Sequence, residues 1–168
     1  MQNTIATLIL ISVHILSVVA NGLVYRRKEA FDLLENEPGF KPEDFGNTIT
    51  NSALSIISVG GLIALFYMLS DMIKSFLPTS LSDSLAVSFA IGLLEMTNGV
   101  FGVCKLTDVA TATVLCSTLL ALGGMCVFFQ CYAFLGKKKI KAVEVIKMKL
   151  TQSAFATIFS FVLVKIFL

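Results

Sequence analysis

The sequence predicts an all-α, polytopic membrane protein with about four spanning helices and a re-entrant or broken helical hairpin. Of its 168 residues, 56% are hydrophobic and only 14% are charged, whereas a soluble domain carries about 25% charged residues. Charged residues are nearly absent from four apolar stretches, and a carboxylate interrupts a fifth, shorter one. The four stretches cover residues 4–20, 52–69, 109–135 and 154–168.

The lengths of these stretches decide which can cross a bilayer. A helix needs about 20 apolar residues to span the hydrocarbon core. The second and third stretches meet this requirement, whereas the first is marginal. The last becomes long enough if it begins at Leu150, and Lys165 near its end can extend its charge to the interface.

The first stretch could be mistaken for a secretory signal peptide, because residues 18–20 would suit a cleavage site. However, no basic residues precede it, and Arg26 and Arg27 follow it closely. This reversed charge order favours a retained helix whose C-terminal end lies in the cytoplasm.

Basic residues predict the topology, because Lys and Arg in short loops mark the cytoplasmic side. They cluster in a loop after the first stretch and in another after the third. These residues are Arg26, Arg27, Lys28 and Lys41 in the first loop, and Lys137, Lys138, Lys139, Lys141, Lys147 and Lys149 in the other. If both loops are inside, the chain crosses the membrane an even number of times between them. Three apolar segments lie there, so one is not a full crossing.

The segment most suited to re-entry is the one that contains Glu95. Ten apolar residues precede this carboxylate, and the small polar triplet Thr97-Asn98-Gly99 follows it and could break a helix. We therefore favour a helical hairpin over residues 82–104 that enters and leaves on the outer face. In the alternative, the break lies at Gly123-Gly124, so that residues 109–135 form the hairpin and residues 85–105 span.

Two connecting segments have patterns of their own. Residues 29–51 are acidic, contain two prolines and carry several apolar side chains, which fits either an interfacial cytoplasmic segment or a solvated connector. Residues 137–150 place apolar side chains at helical spacing between lysines. They predict either a basic amphipathic helix on an anionic membrane surface or a cytoplasmic extension of the last spanning helix.

Glu95 is the leading candidate for a functional residue. A carboxylate at membrane depth costs several kcal/mol unless it is paired, so such a residue is a functional-site hypothesis by default. Transporters also use discontinuous helices at their binding sites. Gly123-Gly124 could open a second helix, and Gln130 is an uncommon amide at membrane depth, although hydrogen bonding between helices would also explain it. Gly60-Gly61 are expected to allow close helix packing.

The remaining polar and sulfur-containing residues favour simpler roles. Cys104, Cys116, Cys126 and Cys131 have no CxxC spacing and are expected to be small packing residues rather than a metal or redox site. His14 is the only histidine and is expected to be packed or hydrogen-bonded. No motif places a nucleophile beside a base, so we expect no enzymatic activity, cofactor or metal. A net charge of +2 is too small to indicate a nucleic-acid partner.

Four stretches together resemble one family. They are ISVHILSVVANGLVYRR from residue 11, TNSALSIISVGGLIALFYMLS from residue 50, GLLEMTNG from residue 92 and LGGMCVFFQC from residue 122. In order and spacing they resemble the C-terminal half of the YlbJ family of sporulation integral membrane proteins, with His14 at a matching histidine. This family belongs to the nucleoside-recognition, or gate, domain group, which includes the spore maturation proteins. The histidine that precedes Gln in the family's third motif is replaced here by an aromatic residue.

The resemblance implies a function and a set of site residues. It implies an integral membrane permease for a small solute of unknown identity, linked to formation of the endospore cortex. The implied substrate-binding residues are Glu95, Thr97, Asn98, Gly99, Gly123, Gly124 and Gln130. The chain would comprise an N-terminal helix (residues 1–28), a cytoplasmic interfacial loop (29–51) and a gate-like membrane domain (52–168).

The family's N-terminal gate repeat has no counterpart here. We therefore expect half of a two-repeat protein, from a split or truncated gene, which works with a second gate-bearing chain or as a homodimer. Its expected location is the bacterial cytoplasmic or forespore membrane. The alternative is a non-transporting membrane scaffold for spore-envelope assembly, in which Glu95 only pairs internally.

Overall fold

The computed structural model describes residues 4–26, 45–135 and 141–168, and all regular structure in these ranges is helical. The helices are α1 (Thr4–Val24), α2 (Phe45–Phe76), α3 (Thr79–Ser82), α4 (Leu85–Leu94), α5 (Met96–Leu106), α6 (Val109–Leu122), α7 (Gly124–Leu135) and α8 (Ala142–Phe167). Within the described residues, α1, α2, the combined α6–α7 segment and α8 are long and apolar enough to cross a membrane. The predicted fold class, an all-α polytopic membrane protein, is confirmed.

Helices α6 and α8 pack through small polar side chains. The Ser117 and Ser160 hydroxyl oxygens are 3.0 Å apart, and those of Thr118 and Thr157 are 2.8 Å apart. Ala156, the residue before Thr157 on α8, is fully buried. In lipid, small residues of this kind let helices approach closely, and their hydroxyl groups bond across the interface.

Helix α1 lies antiparallel on α8. Near the C-terminal end of α1, the Asn21 amide nitrogen donates to the Met148 carbonyl at 3.2 Å, and its oxygen accepts from the Thr151 hydroxyl at 2.8 Å. Ile9 and Val13, nearer the start of α1, pack in one apolar cluster with Ala121 and Ala156. The end of α1 and the start of α8 therefore lie together, which agrees with both basic loops being on one side of the membrane.

Helices α4 and α5 form the predicted hairpin, and the chain reverses at Glu95. Gly92 on α4 lies against Gly99 on α5, and Ser88 lies against Gly102 further from the reversal. These pairs are nearly symmetric about the turn, as in an antiparallel hairpin. At about 1.5 Å per residue, the ten residues of α4 reach roughly 15 Å, or half the hydrocarbon thickness.

The helix is also interrupted at Gly123-Gly124, the alternative break point, but no second hairpin forms there. Gly123 ends α6 with a φ of +79°, and Gly124 begins α7 with a φ of +65°. Helix α7 then packs mainly against α2, α4 and α8, and not back along α6. Residues 109–133 therefore form one interrupted segment of spanning length.

Two helices are longer than the apolar stretches that predict them. Helix α2 has 32 residues and begins at Phe45, because exposed polar residues in its first turns can continue the helix into water. Helix α8 has 26 residues and begins at Ala142. The part of the basic segment from residue 142 is therefore a continuation of the last spanning helix. Residues 27–44, which include most of the predicted interfacial loop, and residues 136–140 lie outside the described ranges.

Candidate functional site

Glu95 lies at the turn of the hairpin, with an extended backbone (φ −137°, ψ 112°), and it caps both helices. Its backbone N–H donates to the Ile91 carbonyl and ends α4. Its carboxylate oxygens accept the backbone N–H groups of Thr97 at 3.1 Å and Asn98 at 2.8 Å. Since the first N–H groups of a helix have no partner within it, the carboxylate satisfies two donors at membrane depth and offsets the positive end of α5.

The position of the break differs slightly from the sequence-based prediction. Thr97, Asn98 and Gly99 lie in the first turn of α5, and the non-helical residue is Glu95 itself. Glu95 is only 3% exposed. The small polar triplet therefore forms the capped start of the second helix, and its amide groups hold the carboxylate.

Gly99 allows the two arms of the hairpin to touch. A Cβ atom on residue 99 would lie 2.6 Å from the Gly92 nitrogen and 3.0 Å from the Ser88 carbonyl oxygen. On the other arm, a Cβ on residue 92 would lie 2.7 Å from a Leu119 methyl group on α6. The hairpin is thus packed backbone to backbone and is wedged against α6.

Asn98 connects the hairpin to α2. Its side-chain nitrogen donates to the Ser70 hydroxyl at 2.6 Å and lies 3.3 Å from an Asp71 carboxylate oxygen. The Ser70 hydroxyl in turn donates to the Tyr67 carbonyl at 2.8 Å. Asn98 is 7% exposed and Ser70 is fully buried, so this polar contact lies inside the protein.

The interruption between α6 and α7 lies against the interruption between α4 and α5. A Cβ atom on Gly124 would lie 2.9, 3.1 and 3.3 Å from the carbonyl oxygens of Gly92, Leu93 and Leu94. These carbonyl groups are at the end of α4, where helical hydrogen bonding stops. The start of α7 therefore lies directly against the open end of α4, beside Glu95.

Not every predicted site residue lies beside Glu95. Gln130 lies about two turns along α7, and its side-chain nitrogen contacts the Cys126 sulfur at 3.2 Å rather than Glu95. Cys126 is buried and lies close enough to Glu95 to interact with its carboxylate electrostatically. His14 is exposed on α1. The structure thus brings together Glu95, the start of α5 and Gly124. Gln130 contacts Cys126 and not Glu95.

A cavity of about 490 Å³ lies beside Asn98 and extends to the end of the hairpin away from Glu95, which the predicted topology puts outside and which is called the outer end below. It is bounded by the end of α2, the residues before α4 and the length of α5. Its polar lining includes Tyr67, Lys74, Asp83, Ser88, Asn98 and Lys105. Of these, only Asn98 was identified from the sequence. Lysines on the outer side, where the positive-inside rule predicts few, were the signal that could have identified this cavity.

Cys104 and Cys116 form a second contact that the sequence does not reveal. Their sulfur atoms are 3.6 Å apart, which joins α5 to α6 near the outer end of the hairpin. Cys116 and Cys126 are buried, as expected for packing residues, whereas Cys104 is exposed and Cys131 is half-buried. Eleven residues, which include the turn between α5 and α6, separate Cys104 from Cys116, so only the tertiary fold brings them together.

Comparison of the chain with models of known protein families, with curated proteins and with solved structures found no match. The fold of the described residues, with four segments long enough to span and a broken helical hairpin, defines an all-α polytopic membrane protein. Its resemblance to the YlbJ family stays a prediction.

Proposed function

We propose that this chain is one gate-like unit of a permease for a small solute. The observation that carries the proposal is the contact between Gly124 and the terminal carbonyl groups of α4, next to Glu95. Transporters place solute and ion sites where two interrupted helices meet near the middle of the membrane. The proposed site consists of Glu95, Thr97, Asn98, Gly99, Gly123 and Gly124, with Gln130 in a supporting position.

The outer cavity supports this proposal because it gives water or a solute a route towards the site. Non-helical backbone at membrane depth is tolerated only where it is packed in protein or lines a watery cavity. Glu95 meets the first condition, since it is nearly fully buried. Asn98, one turn further along α5, lines the cavity and would be the first site residue that a solute from outside meets.

The permease proposal includes a second gate unit, on another chain or on a second copy of this one. Repeat-built transporters form their sites between two repeats. Helix α2 supports such an arrangement. Ser70 is its one buried residue among those described, so most of its apolar surface is available for contact with a second unit. The membrane in question would be the bacterial cytoplasmic or forespore membrane, and the link to the endospore cortex rests on the resemblance alone.

The proposal is tested first by identifying the partner and then by binding. The tagged chain is extracted gently from its host, and co-purifying membrane proteins are identified by mass spectrometry. The recovered complex is then screened for thermal stabilisation by small metabolites. We expect a ligand that stabilises the wild-type complex and has no effect on the Glu95→Gln variant.

Glu144→Gln provides a matched control, because Glu144 is exposed in the first turn of α8. This variant should respond to the ligand like the wild type. If no metabolite stabilises the assembled complex, or if both variants lose the response equally, the permease proposal fails.

One observation favours the alternative, a membrane scaffold for spore-envelope assembly. Both Glu95 oxygens already accept hydrogen bonds from their own hairpin, so the residue can be explained by folding alone. In that case a Glu95→Gln protein that accumulates normally should support normal numbers of heat-resistant spores. A stable variant that makes few such spores would instead exclude a purely structural role for this carboxylate.

A further inference from the structure

We propose that the cavity at the outer end of the hairpin is a binding site for a phosphate group. The phosphate could belong to a lipid headgroup or to a free solute, and the chemistry of recognition would be the same. This inference goes beyond the permease proposal, because it concerns the outer cavity and not Glu95, and it holds whether or not the chain transports anything.

The charges around the cavity support an anionic ligand. Lys74 approaches from the last turn of α2, and Lys105 from the last turn of α5. Asp83, just before α4, is the one carboxylate among the described lining residues. The side chains that line the cavity therefore carry a net positive charge, and the nearby Asp71 carboxylate contacts the Asn98 amide without lining the cavity itself. The two flexible lysine chains can converge on one group from two helices.

The helix dipole offers a simpler explanation for each lysine alone. A cation in the last turn stabilises the negative end of its helix, and both lysines hold such positions. The dipole does not explain why both lysines border the same cavity. It also does not explain why the hydroxyl and amide groups of Tyr67, Ser88 and Asn98 line that cavity.

The size and position of the cavity fit this ligand. A volume of about 490 Å³ lies within the range of small-molecule sites, roughly 300–1,000 Å³. The lysines lie in the last turns of α2 and α5, at the ends of these helices that the predicted topology puts outside, where lipid phosphates would be within reach. Phe101 and Leu106 add an apolar part to the lining, which would contact the portion of the ligand that carries the phosphate.

The test uses the full chain, with thermal unfolding followed through labelling of its buried cysteines. In vesicles of neutral phosphatidylcholine, inorganic phosphate should raise the unfolding temperature saturably, whereas chloride at equal ionic strength should not. In a second arm, phosphatidylglycerol replaces part of the neutral lipid. An effect of soluble phosphate identifies a free solute as the source, and an effect of the anionic lipid alone identifies a headgroup.

Two variants and a control locate the effect. Lys74→Gln and Lys105→Gln should each weaken the response by about tenfold in apparent affinity, since a hydrogen bond to a charged group contributes on that order. Lys165→Gln should leave it unchanged, because Lys165 lies on α8 over the Phe161 ring and does not line the cavity.

Asp83→Asn provides a result that misfolding cannot imitate. Removing the opposing carboxylate should tighten phosphate binding several-fold, and a damaged protein would not gain affinity. The proposal is overturned if neither phosphate source stabilises the wild type. It is also overturned if Lys165→Gln weakens binding as much as Lys74→Gln does, or if Asp83→Asn leaves the affinity unchanged.

Discussion

The hairpin α4–α5 and the long helix α2 are both apolar and both carry glycines, yet they use them differently. In the hairpin, a Cβ on residue 99 would meet the Gly92 backbone, and a Cβ on residue 92 would meet the Leu119 methyl groups of α6 and come within 3.2 Å of the Gly99 Cα. On α2, nothing lies within 4 Å of where a Cβ atom on Gly60 or Gly61 would be. The predicted close approach at Gly60-Gly61 is therefore not made among the described residues. A glycine pair indicates tight packing only where the fold supplies a partner.

The largest expected effect comes from closing the space in the hairpin. Gly99→Ala should destabilise the protein by about 3 kcal/mol, because the added methyl group meets the backbone of the opposite arm and cannot be relieved by a rotamer change. Thermal or denaturant unfolding of the purified chain in detergent measures this loss.

The same change on α2 is the matched control for Gly99→Ala. Gly60→Ala and Gly61→Ala should be neutral or should stabilise the isolated chain by up to about 1 kcal/mol, since Ala is the better helix former. If Gly99→Ala is as stable as the wild type, the contrast between the two regions is wrong.

These glycines also show how far the sequence can predict the fold. The hairpin is predictable because ten apolar residues are too few to span and because Glu95 interrupts them. Which glycines touch is not predictable, because Gly60-Gly61 and Gly92 lie in equally apolar surroundings in the sequence. The difference arises from contacts between segments that are far apart along the chain.

The second helix break should give the next largest effect. Gly124→Ala combines a left-handed backbone, which costs about 1–2 kcal/mol for a residue with a Cβ, with contacts near 3 Å to the α4 carbonyl groups. We therefore expect a loss of about 2 kcal/mol or more in unfolding free energy.

Gly22→Ala on α1 tests whether the Gly124 effect is specific. Gly22 is exposed, and nothing lies within 4 Å of a Cβ at that position, so stability should not fall. Equal losses at both positions would show that the two breaks are not in tight contact.

A smaller effect should follow from breaking the link between the two regions. Asn98→Ala removes the contact to Ser70 and should cost about 1–2 kcal/mol, the usual cost of a broken buried hydrogen bond. Ser70→Ala should cost a similar amount, and the double variant should cost less than the sum, since the residues share one contact.

Ser58→Ala serves as the control on α2, because among the described residues its hydroxyl bonds to the Leu54 carbonyl of the same helix and not to the hairpin. This change should be nearly neutral. Fully additive losses at positions 98 and 70 would mean that the hairpin and α2 are not coupled through this contact.

The candidate site was also only partly predictable. A lone carboxylate in an apolar stretch is visible in the sequence, whereas its partners are not. Internal pairing of Glu95 is one hypothesis from the sequence, but its partners, the backbone N–H groups two and three residues away, are not visible there. Those donors become available only where the helix breaks. Lys74 and Lys105 were missed because they join one cavity only after α2 and the hairpin are packed.

The smallest expected effect lies at the outer end of the hairpin, where α5 leads into α6. The Asp108 carboxylate caps α6 by accepting the Thr111 backbone N–H at 3.0 Å. This hydrogen bond holds the pKa of Asp108 below its ordinary value of 3.8. A lowered pKa in the folded state means that the stabilisation is complete above pH 3.8 and is lost as the pH falls through the lower, folded-state value.

Asp108→Asn isolates this contribution, because Asn is an equally good helix cap that does not titrate. The stability difference between wild type and variant should stay constant from neutral pH to about 4 and should then shift against the wild type in more acidic solution. Unfolding measured in parallel for both proteins over that range cancels the titration of other carboxylates. A difference that stays constant in strong acid would show that the Asp108 carboxylate does not cap α6.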